Sequence, residues 1–338
     1  MFLGVGRMSI FVGLDIGSRT SIAGVRKDGR PAGQWEIAQT PAGRKAAVKK
    51  LKSLKPKSIV MEATGIYYLD LAIDLHAADL PVSVINPKSF HNFAKLMLQN
   101  NKTDAIDAQL LSEYAERMTP RLWTPPSPAQ LELRALGRHI NRLVGHRVRA
   151  KNELHALQAT NTTIPMLIED QEEAIASLDE RIERLRKAGR DLIAQCPILN
   201  QQYQQLVAAP GMGAVSVLAI LAELTTLPEM LKSSQVSRYA GLDVRQTQSG
   251  TSVDKPGRLG KTGNAYLRAA MYMPAMTAIR HDPYAKGFYE TLLSRGKKKM
   301  QAIAAVMRKY LTGAWACMRG DEPFDTAKLF SATHLKKA

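Results

Sequence analysis

Short apolar segments separated by turns fill the first third of this chain, and they constrain its fold more than any other feature. The segments with the length of a strand are residues 10–15, 21–26, 33–38, 58–63 and 82–85. Asp28 and Gly29 mark a turn after the second segment, and residues 41–54 have the spacing of a helix. Strands in a row followed by strand–helix alternation predict an α/β domain with a mixed sheet over residues 9–124.

The next region has the pattern of a linker followed by long helices. Residues 124–128 (TPPSP) disfavour a helix and predict the linker. Residues 129–197 carry apolar side chains at heptad spacing on either side of a break near 162–165. The heptad positions are Leu133, Ile140 and Leu154; Leu136, Leu143, Ala150 and Leu157; Ile168, Ile175 and Ile182; Leu178, Leu185 and Leu192. A hairpin within one chain and a coiled coil between chains would both bury this stripe. Residues 201–330 predict a third, mostly helical domain.

Charge indicates the class of partner. Lysine and arginine number 47 against 30 aspartates and glutamates, a formal net charge of +17. Such an excess favours nucleic acid, and a basic protein that associates with ribosomes is the alternative. Two cysteines, Cys196 and Cys317, are too few for a disulfide framework, which fits a reduced cytoplasm. No apolar run approaches the ~20 residues of a membrane span, so no membrane partner is expected.

Four acids stand where a metal site can form. Asp15 in GLDIGS and Glu62 in SIVMEATG are each the single acid at the end of an apolar strand. Asp104 and Asp107 lie three residues apart at the start of a predicted helix, so they share one helix face. Carboxylates bind Mg²⁺, and two such ions ~4 Å apart stabilise both reacting oxygens in phosphodiester cleavage. The four acids therefore predict a nuclease-type metal site.

Each acid taken alone has a simpler interpretation. The two acids at the helix start are typical of caps or of partners for the helix dipole, and Asp15 is compatible with a turn. Glu62 has no such simple interpretation, because an acid that ends a buried strand needs a partner. The DIGS segment at 15–18 also resembles the first phosphate loop of sugar kinases and actin-like ATPases. That fold needs a second loop preceded by an acid, which the PGMG segment at 210–213 lacks.

Two further segments are candidates for contact with nucleic acid. A stretch without acids at 133–152 carries a cluster of cations that includes Arg134, Arg138 and Arg142. Such a run is usually a solvated helix face. Because all of its charges are positive, it is also compatible with contact to phosphate. Gly211 and Gly213 precede an apolar helix, where free backbone N–H groups can bind phosphate as in a helix-hairpin-helix. A plain tight turn between packed helices is the alternative.

The QSGTS loop at 248–252 offers small hydroxyl groups close to several cations. Those cations are Lys255, Arg258, Lys261 and Arg268. Positive charge favours both an alkoxide nucleophile and the phosphate that it attacks. The residues alone leave open which hydroxyl would act, Ser249, Thr251 or Ser252, and an ordinary surface loop is the alternative.

Taken in order, these motifs resemble the DEDD transposases of the insertion sequence 110 type. The matching segments are GLDIGS, MEATGIYYLDLAIDL, VSVINPKSFHNFAK, NKTDAIDAQLLSEYA, PGMGAVSVLAILAEL, YAGLDVRQTQSGTSV and GNAYLRAAMYMPA. The resemblance covers residues 9–326, and the middle helical segment is its least distinctive part. It implies a RuvC-like N-terminal domain of the ribonuclease H fold and a mostly helical C-terminal transposase domain.

The resemblance also implies a mechanism. The metal-binding tetrad would be Asp15, Glu62, Asp104 and Asp107, holding Mg²⁺. Ser249 would attack DNA and form a covalent phosphoserine link; Gln248 stands where relatives can carry Glu. A noncoding bridge RNA would join donor and target DNA. Copies of the chain, as a dimer or tetramer in the bacterial cytoplasm, would share composite sites.

Other functions compete with this one. A metal-only nuclease of the Holliday-junction type would use the four acids without the serine. A non-catalytic nucleic-acid-binding protein would keep the fold and lose the chemistry. A kinase or ATPase would leave Asp104, Asp107 and the basic charge without a role.

Overall fold

The chain divides into two compact units between Pro125 and Pro126, within the predicted linker. A computed structural model describes residues 9–99, 103–162, 164–249, 253–320 and 322–331. None of the helices in these ranges is both long and apolar enough to cross a membrane.

A five-stranded mixed sheet forms the centre of the first unit. Its strands are β1 (Ile10–Ile16), β2 (Thr20–Lys27), β3 (Arg30–Ala38), β4 (Ser58–Glu62) and β5 (Val82–Ile85). They lie in the order β3-β2-β1-β4-β5, with β1, β2 and β3 antiparallel in turn and β1, β4 and β5 parallel. This is the ribonuclease H arrangement that the resemblance implies, so the predicted fold class is confirmed. The predicted turn at Asp28 and Gly29 joins β2 to β3 with positive φ at both residues.

Helices cover both faces of this sheet. They are α1 (Pro41–Leu54), α2 (Leu69–Ala77), α3 (Pro87–Leu96) and α4 (Asp104–Met118). Because side chains alternate across a strand, Val12 and Leu14 of β1 pack into a core with Leu51 of α1 and Leu71 of α2. Phe11 packs into the core on the other face, which includes buried side chains of α3 and α4. Gly13 and Asp15 share that second face with Phe11.

Two glycines let α4 lie directly against the sheet. A Cβ on Gly13 would lie 2.3 Å from the carbonyl oxygen of Ala108 and 2.3 Å from the backbone nitrogen of Ser112. A Cβ on Gly24, the sheet partner of Gly13, would lie 2.6 Å from the carbonyl carbon of Ala108. Both positions therefore require glycine, since any side chain would push the helix backbone away.

A long helical hairpin begins the second unit. Its arms are α5 (Pro128–Gln158) and α6 (Pro165–Gln195), and Ser127 with Gln130 forms a capping box at the start of α5. The arms fold back on each other, because Arg147 of α5 pairs with Asp179 of α6 and Gln171 donates to the carbonyl of Ala150. The heptad stripe thus forms a hairpin within the chain, which was one of its two interpretations.

The remaining helices pack around α8 and α13. After the hairpin come α7 (Pro197–Val207), α8 (Ala214–Leu224), α9 (Ser233–Tyr239), β6 (Val244–Ser249), β7 (Val253–Leu259), α10 (Ala265–Ala270), α11 (Tyr272–His281), α12 (Pro283–Ser294), α13 (Lys299–Cys317) and α14 (Thr326–Leu329). Leu133 and Ile182 of the hairpin are buried in the same core as Leu221 and Val306. The central and C-terminal segments that the sequence pattern distinguishes therefore share one hydrophobic core.

One local expectation was wrong. Gln248 and Ser249, expected in a loop over residues 248–252, end the strand β6, which pairs with β7, and Ser249 lies opposite Val253. The side chains here are mostly polar or charged, so the sequence lacks the apolar alternation of a strand. A two-stranded ribbon pairs through its backbone and needs no apolar face.

Candidate active site

Two of the four predicted acids end neighbouring parallel strands. Asp15 is the second-last residue of β1 and Glu62 is the last residue of β4. In the sheet Gly13 lies opposite Val60, and each acid stands two residues beyond that pair. Asp15 and Glu62 therefore lie on one face, at the same carboxyl edge of the sheet. The Oε1 atom of Glu62 accepts a hydrogen bond from the Thr64 hydroxyl at 2.8 Å.

The direction of α4 brings the other two acids toward this edge. Arg26 of β2 lies opposite Phe11 in the sheet. Its Nε donates to Oε2 of Glu116 at 2.6 Å, and Glu116 belongs to the second half of α4. Two residues further along β1, Gly13 touches the middle of the helix. Each step toward the carboxyl end of β1 thus leads toward the N-terminus of α4. The next step, to Asp15, leads to the first helical turn, which carries the remaining two acids.

Neither acid of that turn is the helix cap. Thr103 caps α4, and its hydroxyl accepts a hydrogen bond from the N–H of Ile106 at 3.2 Å. Asp104 is exposed, and Asp107 is partly buried one turn later on the same face. The simpler interpretation of these acids as caps therefore fails, although the helix dipole still favours them.

The shared edge is not a closed coordination shell. Among the residues that the structure describes, no three His, Cys, Asp or Glu side chains form a group that could hold a metal ion. The donor chemistry suits a hard divalent cation, since all four predicted ligands are carboxylates. The backbone contacts direct the first turn of α4 toward the edge that Asp15 and Glu62 share.

Ser249 lies in the second unit, near the tip of the β6–β7 hairpin. It ends β6 opposite Val253, which begins β7. Residues 250–252, with the rival hydroxyls Thr251 and Ser252, lie outside the described residues, as does the side chain of Ser249.

Most of the cations predicted around Ser249 lie toward the base of this hairpin. Arg258 is exposed on β7 opposite Arg245, and Lys261 is exposed just beyond the strand. Arg268 is engaged elsewhere, because its Nη1 donates to the carbonyl of Ala240 at 2.8 Å. The backbone of Lys255 pairs with β6, while its side chain lies outside the described set.

The three arginines predicted on α5 have different surroundings in the structure. Arg138 forms a bidentate ion pair with Glu223, with Nε–Oε1 at 2.7 Å and Nη2–Oε2 at 2.9 Å. The hydrogen bond to Glu223 raises the pKa of Arg138, although burial alone would lower it. Arg142 is exposed, with Nη2 3.2 Å from Nδ1 of His139. Arg134 is partly buried, and its Nε has no hydrogen-bond partner. Arg142 thus remains the better placed of the three for phosphate.

In the PGMG turn, the first glycine is closely packed and the second has open space around it. Gly211 has φ of 83° and lies against α11, where a Cβ would be 2.8 Å from the carbonyl oxygen of Pro274. Gly213 precedes α8, and a Cβ there would meet nothing within 4 Å.

Sequence reasoning missed a buried polar cluster around Glu223. That residue lies in the helix AVSVLAILAEL and is 1% exposed. The signal was present, since a single acid among apolar residues is the same pattern that singled out Glu62. Its second partner, Asn264, carries no comparable signal, because asparagine after glycine is typical of any turn or cap.

Comparisons with known proteins indicate the family to which the chain belongs. A family model described as a transposase, DEDD_Tnp_IS110, matches residues 12–160, and one for the transposase IS116/IS110/IS902 family matches residues 203–290. The chain is 32% identical over 272 residues to the pilin gene-inverting protein of Moraxella bovis, covering 79% of this chain and 81% of that protein. It is 24% identical over 317 residues to the transposase for insertion sequence element IS1111A of Coxiella burnetii, covering 82% of each.

Among solved structures, RuvC of T. thermophilus in complex with Holliday junction substrate aligns at 14% identity with a TM-score of 0.23. That alignment covers 32% of this chain and 96% of RuvC.

The strand order defines the first unit as a domain of the ribonuclease H type. The family models and the relatives define the whole protein as a DNA transposase or recombinase. More narrowly, the chain belongs to the IS116/IS110/IS902 family of transposases. The predicted family is therefore confirmed.

Proposed function

We propose that this protein cuts and rejoins DNA strands for the movement of an insertion sequence, with four acids that bind Mg²⁺ and with Ser249 as nucleophile. The observation that carries the proposal is the shared edge: Asp15 and Glu62 end parallel strands, and the first turn of α4 points to the same edge. A transposase must activate phosphodiesters, and clustered carboxylates next to a sheet edge are suited to that chemistry.

The acids would hold the metal and the serine would hold the DNA. Asp15, Glu62, Asp104 and Asp107 supply the oxygen ligands that Mg²⁺ prefers. When bound, Mg²⁺ neutralises charge on the phosphate and polarises its oxygens. The chain's own contribution is to orient these carboxylates, which it does through the backbone contact of α4 with β1.

The serine step conserves the phosphodiester for rejoining. The Ser249 hydroxyl loses its proton and its oxygen bonds to phosphorus, while the sugar oxygen leaves and takes up a proton. Rejoining runs the same exchange in reverse, with a sugar hydroxyl as attacking group. Such covalent catalysis needs no external energy source, because one phosphate ester replaces another. Arg258 and Lys261, which are exposed toward the base of the hairpin, would contact DNA phosphates away from the reacting group.

The serine is tested by trapping the covalent link. Full-length protein is incubated with Mg²⁺ and labelled DNA from the flanks of its gene, then run on a denaturing gel with and without protease. Wild type should give a slow band that protease collapses, and Ser249→Ala should give none. Thr251→Ala and Ser252→Ala are matched controls that should keep the band. A band from Ser249→Ala would assign the nucleophile to another residue. Free ends alone from wild type would favour the metal-only nuclease.

The acids are tested by substitutions that preserve shape. Asp104→Asn and Asp107→Asn should abolish both strand cleavage and its dependence on Mg²⁺, because an amide is a weaker ligand without charge. Binding to DNA should persist in both. Asp70→Asn, an exposed acid of α2 that pairs with Arg44, is the control and should cut normally. Normal cleavage by Asp104→Asn would remove that residue from the tetrad.

A noncoding RNA that bridges donor and target DNA is a further part of the proposal. Its support is the net charge of +17, which favours nucleic-acid partners. Binding of RNA or DNA should weaken steeply with salt, since each neutralised phosphate on duplex DNA contributes about −0.9 to the log–log slope. A flat salt response, or no RNA recovered with protein purified from its own host, would contradict it.

We also propose that copies of the protein associate into an oligomer through the end of the helical hairpin. Ile164, Met166 and Leu167 are exposed there, whereas Ile182 is buried in the chain's own core. Met166→Glu combined with Leu167→Glu should lower the mass measured by light scattering and leave the fold unchanged. An unchanged mass would exclude this surface.

A further inference from the structure

A buried acid lies at the centre of the second unit. Glu223 of α8 is 1% exposed, and both of its carboxylate oxygens are used. Oε1 accepts from Nε of Arg138 at 2.7 Å, and Oε2 accepts from Nη2 of Arg138 at 2.9 Å. Oε2 also accepts from the side-chain amide of Asn264. The Arg138 guanidinium stacks near the ring of Tyr266, 5.1 Å from its centroid. A buried carboxylate is compensated here by one cation and one amide.

Asn264 connects this acid to the base of the β6–β7 hairpin. Its Nδ2 donates to the Tyr239 hydroxyl at 2.9 Å as well as to Glu223. Its Oδ1 caps α10 by accepting from the N–H of Leu267 at 3.0 Å, and its own N–H donates to the Tyr239 carbonyl at 2.6 Å. Asn264 therefore fixes the chain before β6, the chain after β7 and the start of α10 at one point.

Further hydrogen bonds close the base of the hairpin beside Asn264. The N–H of Gly260 donates to the carbonyl of Asp243 at 2.8 Å, and the N–H of Lys261 donates to the carbonyl of Gly241 at 3.0 Å. Arg268 of α10 donates to the carbonyl of Ala240 at 2.8 Å. The two chain ends that enter and leave the hairpin are thus joined by the same group of contacts.

We propose that Arg138, Glu223 and Asn264 are positioning residues, which set the direction of the hairpin that presents Ser249. This inference rests on the proposed role of Ser249. A strand of six residues spans roughly 17 to 20 Å, so a small tilt at the base moves the tip by an ångström or more. A misplacement of ~1 Å can cost roughly a hundredfold in rate.

A buried ion pair is weak support for stability by itself, because apolar residues of similar size often replace it without loss. What apolar residues cannot replace is a directed hydrogen bond to Asn264. The network is therefore better explained by orientation than by stability.

The first test is Asn264→Ser in the full-length protein. Serine still caps α10 but loses both amide hydrogen bonds. The expected result is normal binding of labelled flank DNA, with protein-linked DNA formed roughly tenfold to a hundredfold more slowly at saturating DNA. Backbone amides of β6 and β7 should exchange with solvent at least about tenfold faster, since local opening is no longer opposed.

A matched control exists in the same unit. Asp282 is also buried and also caps a helix, and it bonds one further side chain, the hydroxyl of Thr326, at 2.8 Å. Asp282→Ser should leave exchange in β6 and β7, and the rate of covalent attachment, as in wild type. An equal effect in both variants would mean that the Asn264 result is general loosening, which would overturn the inference.

A second variant covers the case in which Asn264→Ser fails to fold. Arg138→Met combined with Glu223→Leu removes both charges together and keeps the volume. It should stay folded, bind DNA, and show the same fast exchange and slow attachment. Wild-type exchange in the double variant would overturn the inference. If wild type itself forms no protein-linked DNA, the role of Ser249 fails, and the exchange data still decide whether these residues hold the hairpin.

Discussion

The carboxylate edge of the first unit and the serine hairpin of the second are held in place by opposite means. Contact between backbones positions the edge, where α4 lies on Gly13 and Gly24 with no side chain between. Polar side chains position the hairpin, through Glu223 and its two partners. We expect the first contact to tolerate changes of charge but not of volume. We expect the second to tolerate changes of volume but not the loss of one partner.

This difference has a chemical reason. In the proposed site, four carboxylates would repel one another until a metal neutralises them, so the scaffold would need contacts that do not depend on charge. Close backbone packing meets that need. A two-stranded ribbon has no core of its own and must be fixed at its base, where directed hydrogen bonds define angles better than apolar contact does.

The largest effect is expected from Gly13→Val. Its side chain would occupy the space of the α4 backbone, and we expect the first unit to lose about 3 kcal/mol of unfolding free energy or more. Hydrogen exchange should show lost protection in β1 and α4 while the second unit stays protected. Wild-type protection in α4 would mean that the helix can shift, and would break the distinction drawn between the two regions.

Arg138→Met should have the next largest effect, confined to the second unit. It leaves the Glu223 carboxylate buried without its cation, at a cost of about 3 kcal/mol. Adding Glu223→Leu should recover most of that loss. Both variants are measured by urea unfolding, followed by the fluorescence of Trp315 in protein whose first-unit tryptophans, Trp35 and Trp123, are replaced by phenylalanine. If the double variant is no more stable than the single one, the network contributes stability of its own.

A smaller effect of opposite sign is expected from Gly145→Ala. This glycine lies within α5, and a Cβ there would meet nothing within 4 Å. Alanine should therefore stabilise the second unit by about 0.5 to 1 kcal/mol, as helix propensity alone predicts. The urea midpoint should rise. A fall in the urea midpoint would show that Gly145 is required for a reason other than the space around its Cα.

The smallest effect concerns acid. The hydrogen bond from Arg147 lowers the pKa of Asp179 below its ordinary value of 3.8. A carboxyl with a lowered folded-state pKa adds stability above its ordinary pKa and loses it as pH falls through the folded value. Asp179→Asn should therefore be slightly less stable than wild type at pH 7, and the difference should shrink as pH falls below 3.8 and vanish below the folded-state pKa of Asp179. A difference independent of pH would exclude the ion pair as its cause.

Much of the first unit could be predicted from local pattern. The strand at 82–85 and the helix at 41–54 were predicted with the bounds that the structure has, because apolar runs between turns have few alternatives. Asp15 and Glu62 stood out by the same rule, as single acids that end apolar segments, whereas Asp104 and Asp107 stood out by their spacing at a helix start. The β6–β7 hairpin was missed because its strands are polar, and the pairing that creates them involves residues on both sides of the QSGTS segment.

The sequence by itself determined the α/β class of the first unit, its division from the helices after residue 125, the family, and the residue types available for chemistry. All of these depend on spacing along the chain. Only the tertiary structure decided that Gly13 receives the α4 backbone, that Arg138 faces Glu223 and not solvent, and that the heptad stripe is first a hairpin within one chain. Such contacts join residues 32 to 99 positions apart, and the pattern of side chains along a chain does not show which distant residues meet in the fold.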